Sequence, residues 1–191
     1  GRDTLDLIQT QIRWLFVPID NKLTFFPVHI AILTVSDTRT KDNDRSGDTL
    51  VERLKADGHI LAARAIVKDD SSAIETQLKD WIENPDIDVI ISTGGTGVTG
   101  RDVTPEAFER ICEKDIPGFG ELFRWVSFQK IGPSTIQSRA VGGVAKGTYL
   151  FALPGSTGAC KDGWDEILHH QLDSRFRPCN FVELMSRLQE K

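Results

Sequence analysis

Three short apolar runs, each separated from the next by an amphipathic stretch, constrain this chain more than anything else in it. They are 28–35 (VHIAILTV), 59–67 (HILAARAIV) and 86–93 (DIDVIIST). The first and third are apolar through their centres and rich in β-branched residues, as strands covered on both faces of a parallel sheet are. The stretches between them have helical spacing. Leu50, Val51 and Leu54 share one side of a helix expected from about Thr49, and Gly58 supplies its terminating glycine. Ile74, Leu78, Trp81 and Ile82 share a side of a second helix over 71–83, with Ser72 and Glu75 spaced as a capping box. Strand, helix, strand, helix, strand at this spacing is a βαβαβ unit with right-handed crossovers.

The pattern continues. Thr104 is placed to cap a helix with Pro105 at its first position and Glu106 near its positive end. A further helix is expected over 117–129, after a Pro-Gly break. Residues 139–155 read as two strands joined at Lys146-Gly147, an antiparallel pair. A last helix is expected from about Ser156 to Leu172, with Trp164, Ile167 and Leu168 as its core face. The expectation is one three-layer α/β/α domain over 27–191, with a mostly parallel, Rossmann-like sheet and an antiparallel pair late in the chain. Residues 1–26 are expected to be an N-terminal appendage with no part in the functional reading.

Composition removes several function classes. A net charge of −5 argues against a general nucleic-acid binder, which carries a basic face. An anionic ligand must then be held by local donors. No run approaches a membrane span, and GRDTLDLIQTQIRWLFVP does not show the pattern of a signal peptide, so no membrane partner is expected. Cys112, Cys160 and Cys179 form no CxxC pair and leave one over in any disulfide scheme, which favours a reduced, cytoplasmic setting. The adjacent His169 and His170 cannot chelate as an i,i+4 pair does.

The sharpest local feature follows the third strand: STGGTGVTGRDVTPEA, with four glycines in the seven residues 94–100. Gly95, Gly97 and Gly100 match GxGxxG, but the natural helix cap, Thr104, lies four residues beyond Gly100, whereas a dinucleotide fingerprint starts its helix inside the motif. A P-loop needs Lys and Ser/Thr where this chain has Arg101-Asp102. A bare turn needs fewer glycines and none of the accompanying hydroxyls and charges. An anion cradle accounts for the whole segment, because open parallel sheets bind ligands beyond the carboxyl ends of their strands.

The other strand ends gather along the same edge: Ser36-Asp37, Lys68-Asp69 and Pro154-Gly155-Ser156. The crevice then holds carboxylates (Asp37, Asp69, Asp102), hydroxyls (Ser36, Ser156) and cations (Arg101, with Arg139 as a further one). Acids beside phosphate donors make sense when Mg²⁺ bridges them, and the chemistry implied is transfer of a phosphorus-centred group.

Taken together, AILTVSDTRT, DRSGDTL, STGGTGVTGRDVTPEA, PGFGELFR, IQSRAVGG and LPGST resemble the molybdopterin-binding MoaB/Mog family of molybdenum-cofactor biosynthesis over about Val28 to Phe181. The resemblance implies a molybdopterin-binding α/β fold, a homotrimer or hexamer, and adenylylation of the terminal phosphate of molybdopterin by Mg-ATP with release of pyrophosphate. By motif position it implies Asp69 and Asp102 as the essential acids, read here as holding Mg²⁺ and orienting phosphates. Thr93, Gly94, Gly95, Thr96 and Gly97 would bind phosphate, with Arg101 beside them and Ser138 and Arg139 as the family's Ser-Arg pair. Ser36, Asp37, Asp44 and Ser46 would form one wall, and Pro154, Gly155 and Ser156 the loop opposite. A non-catalytic molybdopterin carrier or scaffold of the same pathway, working with its other proteins, is the alternative.

Overall fold

The apolar runs become β1 (His29–Val35), β2 (Ile60–Val67) and β3 (Val89–Thr93), separated by helices α1 (Arg45–Ala56) and α2 (Ser71–Ile82). After them come α3 (Thr104–Ile111), a two-residue β4 (Lys114–Asp115) and α4 (Pro117–Ile131). The chain finishes with β5 (Val141–Ala145), β6 (Thr148–Leu153) and α5 (Thr157–Gly163), which runs on through a π turn (Trp164–Leu168) to Gln171. This computed structural model describes residues 19–190. Most of the expected appendage, residues 1–18, lies outside the described part. Residues 20–26 lie against the C-terminal segment: the Asp20 N–H donates to the Arg175 carbonyl, and the Phe26 N–H to Ser174 Oγ.

The sheet has six strands in the order β2-β1-β3-β6-β5-β4. β1 pairs parallel with both β2 and β3, and β3 with β6, while β5 runs antiparallel to β6 and β4 to β5. The expected parallel sheet with a late antiparallel pair is therefore present. β4 went unread in the sequence because two exposed residues carry no period.

Side chains alternate across the central strands and fill two cores. Ile30, Ile32, Val89, Ile91 and Phe151 face Leu50, Leu54, Phe123 and Trp164 on the side of α1, α4 and α5. Ala31, Leu33, Ile90 and Leu150 face Ile74, Leu78, Ala107 and Phe108 on the side of α2 and α3. Both faces of the central strands β1, β3 and β6 are thus sealed, while the edge strand β2 is only partly covered, and polar groups collect at the strand ends. Among the described residues no helix is long and apolar enough to cross a membrane.

In three helices the start or its cap differs from expectation. α1 begins at Arg45, four residues before Thr49, because the Asp44 side chain accepts the Gly47 N–H and nucleates a polar first turn. α2 is capped by Asp70, whose carboxylate accepts the Ala73 N–H, while Ser71 Oγ donates to Glu75. Thr104 is the first residue of α3, and its hydroxyl is used elsewhere.

Candidate functional site

β1 leads back to β2 on one side and on to β3 on the other, so the sheet reverses its order between β1 and β3. The loops leaving their carboxyl ends diverge there and open a crevice. A cavity of about 540 Å³ lies at this point.

The floor is the glycine loop after β3. Gly94 has φ +104° and Gly95 φ +65°, conformations open to glycine at little cost. A Cβ on Gly94 would fall 2.1 Å from the Val35 carbonyl oxygen, so the close approach of this loop to β1 also demands glycine. Gly100 is different, since a Cβ there would meet nothing within 4 Å. The third glycine of a dinucleotide fingerprint packs helix against strand. Gly100 packs against nothing, and the helix starts four residues later at Thr104.

The Gly94 N–H is spent on the Leu153 carbonyl, and the Gly97 N–H points at the Asp102 carboxylate. Of the four amides from Gly94 to Gly97, two remain uncommitted. The N–H groups of Gly95 and Thr96 have no acceptor among the described residues. Thr93 contributes its hydroxyl to the Pro154 carbonyl at 3.0 Å and receives the Cys160 thiol at 3.1 Å, joining the floor to the opposite loop.

One wall is the loop after β1 and the first turn of α1. Asp44 is buried: its carboxylate accepts from Thr34 Oγ1 (2.7 Å), Arg64 Nη2 (2.8 Å) and the Gly47 N–H (3.0 Å). It lines the cavity while serving as the anchor of that wall. Ser36 Oγ accepts from the Thr38 and Arg39 N–H groups. Ser46 Oγ reaches across to donate to the Gly155 carbonyl at 2.7 Å, stapling this wall to the loop of Pro154, Gly155 and Ser156.

Asp69 and Asp102 flank the glycine loop. A Cβ on Gly95 would lie 3.3 Å from Asp69 Oδ1, and one on Gly97 would lie 2.7 Å from Asp102 Oδ2. Asp69 lies at the rim, outside the cavity lining proper, together with Asp37 and Arg101, whose guanidinium donates to the Asp37 carboxylate. Partial burial pushes the Asp69 carboxyl above its usual range, and the charges of Asp37 and Asp102 add to the effect. Burial also pushes Asp102 up, but hydrogen bonds from the Thr99 hydroxyl and N–H and from the Gly97 N–H outweigh it, so its carboxyl sits below the usual range. The Arg101 guanidinium holds Asp37 low.

Arg139 turns away from the cavity. Its Nε donates to the Gly97 carbonyl at 2.6 Å and its Nη2 to the Asp102 carbonyl at 2.7 Å, while Nη1 engages Glu106. Ser138 stays on the cavity side. Arg39, Phe123, Ser127, Ile131 and Gln137, which the sequence reading does not place in the site, are also among the lining residues. Arg39 was accessible to it as a cation three residues after Ser36. The α4 residues have the spacing of a core stripe, and only the fold shows that part of that stripe faces the cavity.

Among the described residues, no group of three or more His, Cys, Asp or Glu side chains is arranged to hold a metal ion by itself. Two carboxylates beside free amides suit an ion that brings most of its ligands as phosphate oxygens and water.

A family model described as "Probable molybdopterin binding domain" matches residues 31–174. Molybdenum cofactor biosynthesis protein B of Escherichia coli (strain K12) is 49% identical over 157 residues, covering 82% of this chain and 92% of that protein. A crystal structure of a molybdenum cofactor biosynthesis protein B superposes with a TM-score of 0.80 at 36% identity, covering 88% of this chain and 100% of the other. The tungsten cofactor synthesizing protein MoaB from Pyrococcus furiosus superposes at 0.68 with 34% identity, over 74% of this chain and 91% of the other. Motif, fold and similarity agree, and this chain belongs to the MoaB/Mog family.

Proposed function

We propose that the chain acts in molybdenum cofactor biosynthesis, in the cytoplasm, by binding molybdopterin and adenylylating its terminal phosphate with Mg-ATP. An oxygen of the molybdopterin phosphate attacks the α-phosphorus of ATP. The bond from that phosphorus to the β-phosphate oxygen breaks, and pyrophosphate leaves with the electron pair. The attacking monoester is already an anion, so no side chain need be a nucleophile or strip a proton.

The observation that carries this reading is the placement of two unpaired amides, Gly95 and Thr96, between two carboxylates, Asp69 and Asp102. The amides and the Thr96 hydroxyl bind and orient a phosphate. Ser138, Ser156 and the wall around Ser36 and Ser46 enclose it and exclude water. Asp69 and Asp102 would hold Mg²⁺, which supplies neutralisation of phosphate charge when bound. Carboxylates facing a polyanion would otherwise repel it, and this favours turnover over simple carriage.

One observation supports the carrier reading as a second choice: the Asp102 carboxylate is already satisfied by Thr99 and Gly97. Mixing the protein with molybdopterin and Mg-ATP and following pyrophosphate decides between them. Stoichiometric binding without pyrophosphate release would leave only the carrier.

A homotrimer or hexamer is part of the same proposal. Its support is the exposed apolar stripe of Leu122, Trp125 and Phe128 on α4, with Trp125 60% exposed.

A further inference from the structure

Peptide carbonyls carry the negative end of the backbone dipole, so a loop that binds an anion through its N–H groups must keep its oxygens elsewhere. Here the oxygens are accounted for one by one. The Gly94 carbonyl accepts from Thr104 Oγ1 at 2.9 Å, and the Gly95 carbonyl from the Thr104 N–H at 3.0 Å. The Thr96 carbonyl accepts from the Arg139 N–H at 2.9 Å, and the Gly97 carbonyl from Arg139 Nε at 2.6 Å. Four consecutive oxygens are therefore drawn out of the cavity by two residues. Arg139 then spans to the Asp102 carbonyl and to Glu106, so one planar guanidinium ties the start of the loop to its end.

We propose that Thr104 and Arg139 are positioning residues: they fix the peptide planes of the glycine loop so that the Gly95 and Thr96 N–H groups face a bound phosphate, and Arg139 does this without touching the ligand. This rests on the anion-binding reading of the loop. A cation in an anion site is ordinarily taken as a direct contact, and the sequence alone suggests that for Arg139. Its position argues otherwise, because it lines a separate cleft with Pro105, Glu106 and Val141 on the far side of the loop. The role also needs a fork of donors in a fixed plane. Lysine, with a single ammonium on a flexible stem, keeps the charge and cannot serve several separated acceptors at once.

The test uses the full chain with inorganic pyrophosphate in the presence of Mg²⁺ as the probe, because the carboxylates beside the loop would repel the bare polyanion. Backbone ¹H–¹⁵N spectra and hydrogen exchange are recorded for Arg139→Lys, Thr104→Val and Thr104→Ser. The expected result is that Arg139→Lys and Thr104→Val shift the Gly95 and Thr96 amides before any ligand is added, speed exchange across 97–102 by about tenfold or more, and weaken pyrophosphate by a similar factor. Thr104→Ser, which keeps the hydroxyl, should behave as the unaltered protein. Glu106→Gln, on a half-buried side chain, gives a milder form of the Arg139 effect should Arg139→Lys fold poorly. Retention of wild-type spectra and affinity by Arg139→Lys would show that charge alone matters and would overturn the proposal. Weakened binding with unperturbed ligand-free amides would do the same, by marking Arg139 as a direct contact. If the unaltered protein does not bind pyrophosphate, the anion-binding reading falls, while the ligand-free spectra still decide whether the two residues set the loop.

Discussion

Asp37 and Asp69 hold each other by a reciprocal pair of hydrogen bonds. The Asp37 N–H donates to Asp69 Oδ2 at 2.9 Å, and the Asp69 N–H donates to Asp37 Oδ1 at 3.2 Å. Two carboxylates are thereby kept side by side at the ends of adjacent strands, and burial together with that proximity raises the Asp69 carboxyl. If turnover requires Asp69 ionised, it should fall on acidification at a pH above the ordinary aspartate value near 3.8. The check is the acid limb of the pH profile of kcat/KM. Asp37→Ala, which removes the neighbouring charge and opens the site to water, should move that limb down.

Asp102→Asn keeps the shape of the side chain and its bonds to Thr99 while removing the charge. Turnover should fall by about 100-fold or more, the cost of deleting a preorganised electrostatic group. Molybdopterin affinity should change much less. Following both quantities on one preparation separates the roles, and unchanged turnover would reject Asp102 as a holder of Mg²⁺.

The glycines of the loop should respond unequally. Gly94→Ala forces a Cβ against the Val35 carbonyl at φ +104° and should cost on the order of 3 kcal/mol or more. Gly100→Ala meets open space and should stay within about 0.5 kcal/mol of the unaltered protein. Chemical denaturation of the two variants checks the contrast. A Gly100→Ala loss as large as that of Gly94→Ala would restore the dinucleotide interpretation of the motif.

A fourth expectation lies at the other end of the sheet. His59 is buried, its Nδ1 accepts the Val28 N–H at 3.1 Å, and burial depresses its pKa below 6.5. His170 is likewise depressed, chiefly by burial. The unfolded chain then takes up protons that the folded chain refuses, so stability is full above about pH 6.5 and declines as pH falls toward the native values. Thermal midpoints at pH 7.5 and 5.5 test this, and His59→Gln should shrink the difference between them.

Much of this architecture could be read from the chain because its signals are local and repeated. The apolar runs at 28–35 and 86–93 can only be strands sealed on both sides, and their spacing fixes which ends carry the loops. What escaped the reading depended on geometry between distant segments. Ser46 and Gly47 look like loop residues until the buried Asp44 is seen capping them. Thr104 carries the signature of a helix cap, yet its hydroxyl goes back ten residues to the Gly94 carbonyl. Arg139 has the composition of a ligand contact, and its direction is set by Glu106 and by carbonyls some forty residues earlier in the chain. Sequence identifies chemical groups well, and it says little about which way they turn.

The position of β6 between β3 and β5 has a consequence during synthesis. The strand that completes the centre of the sheet is the last of the six to leave the ribosome, and the wall of Pro154, Gly155 and Ser156 arrives with it. Until then β3 presents an open, apolar, hydrogen-bonding margin, and the cradle has no far side. A nascent chain halted before residue 153 should therefore be unable to capture phosphate and prone to self-association, so that ligand competence and escape from aggregation are acquired in a single late event.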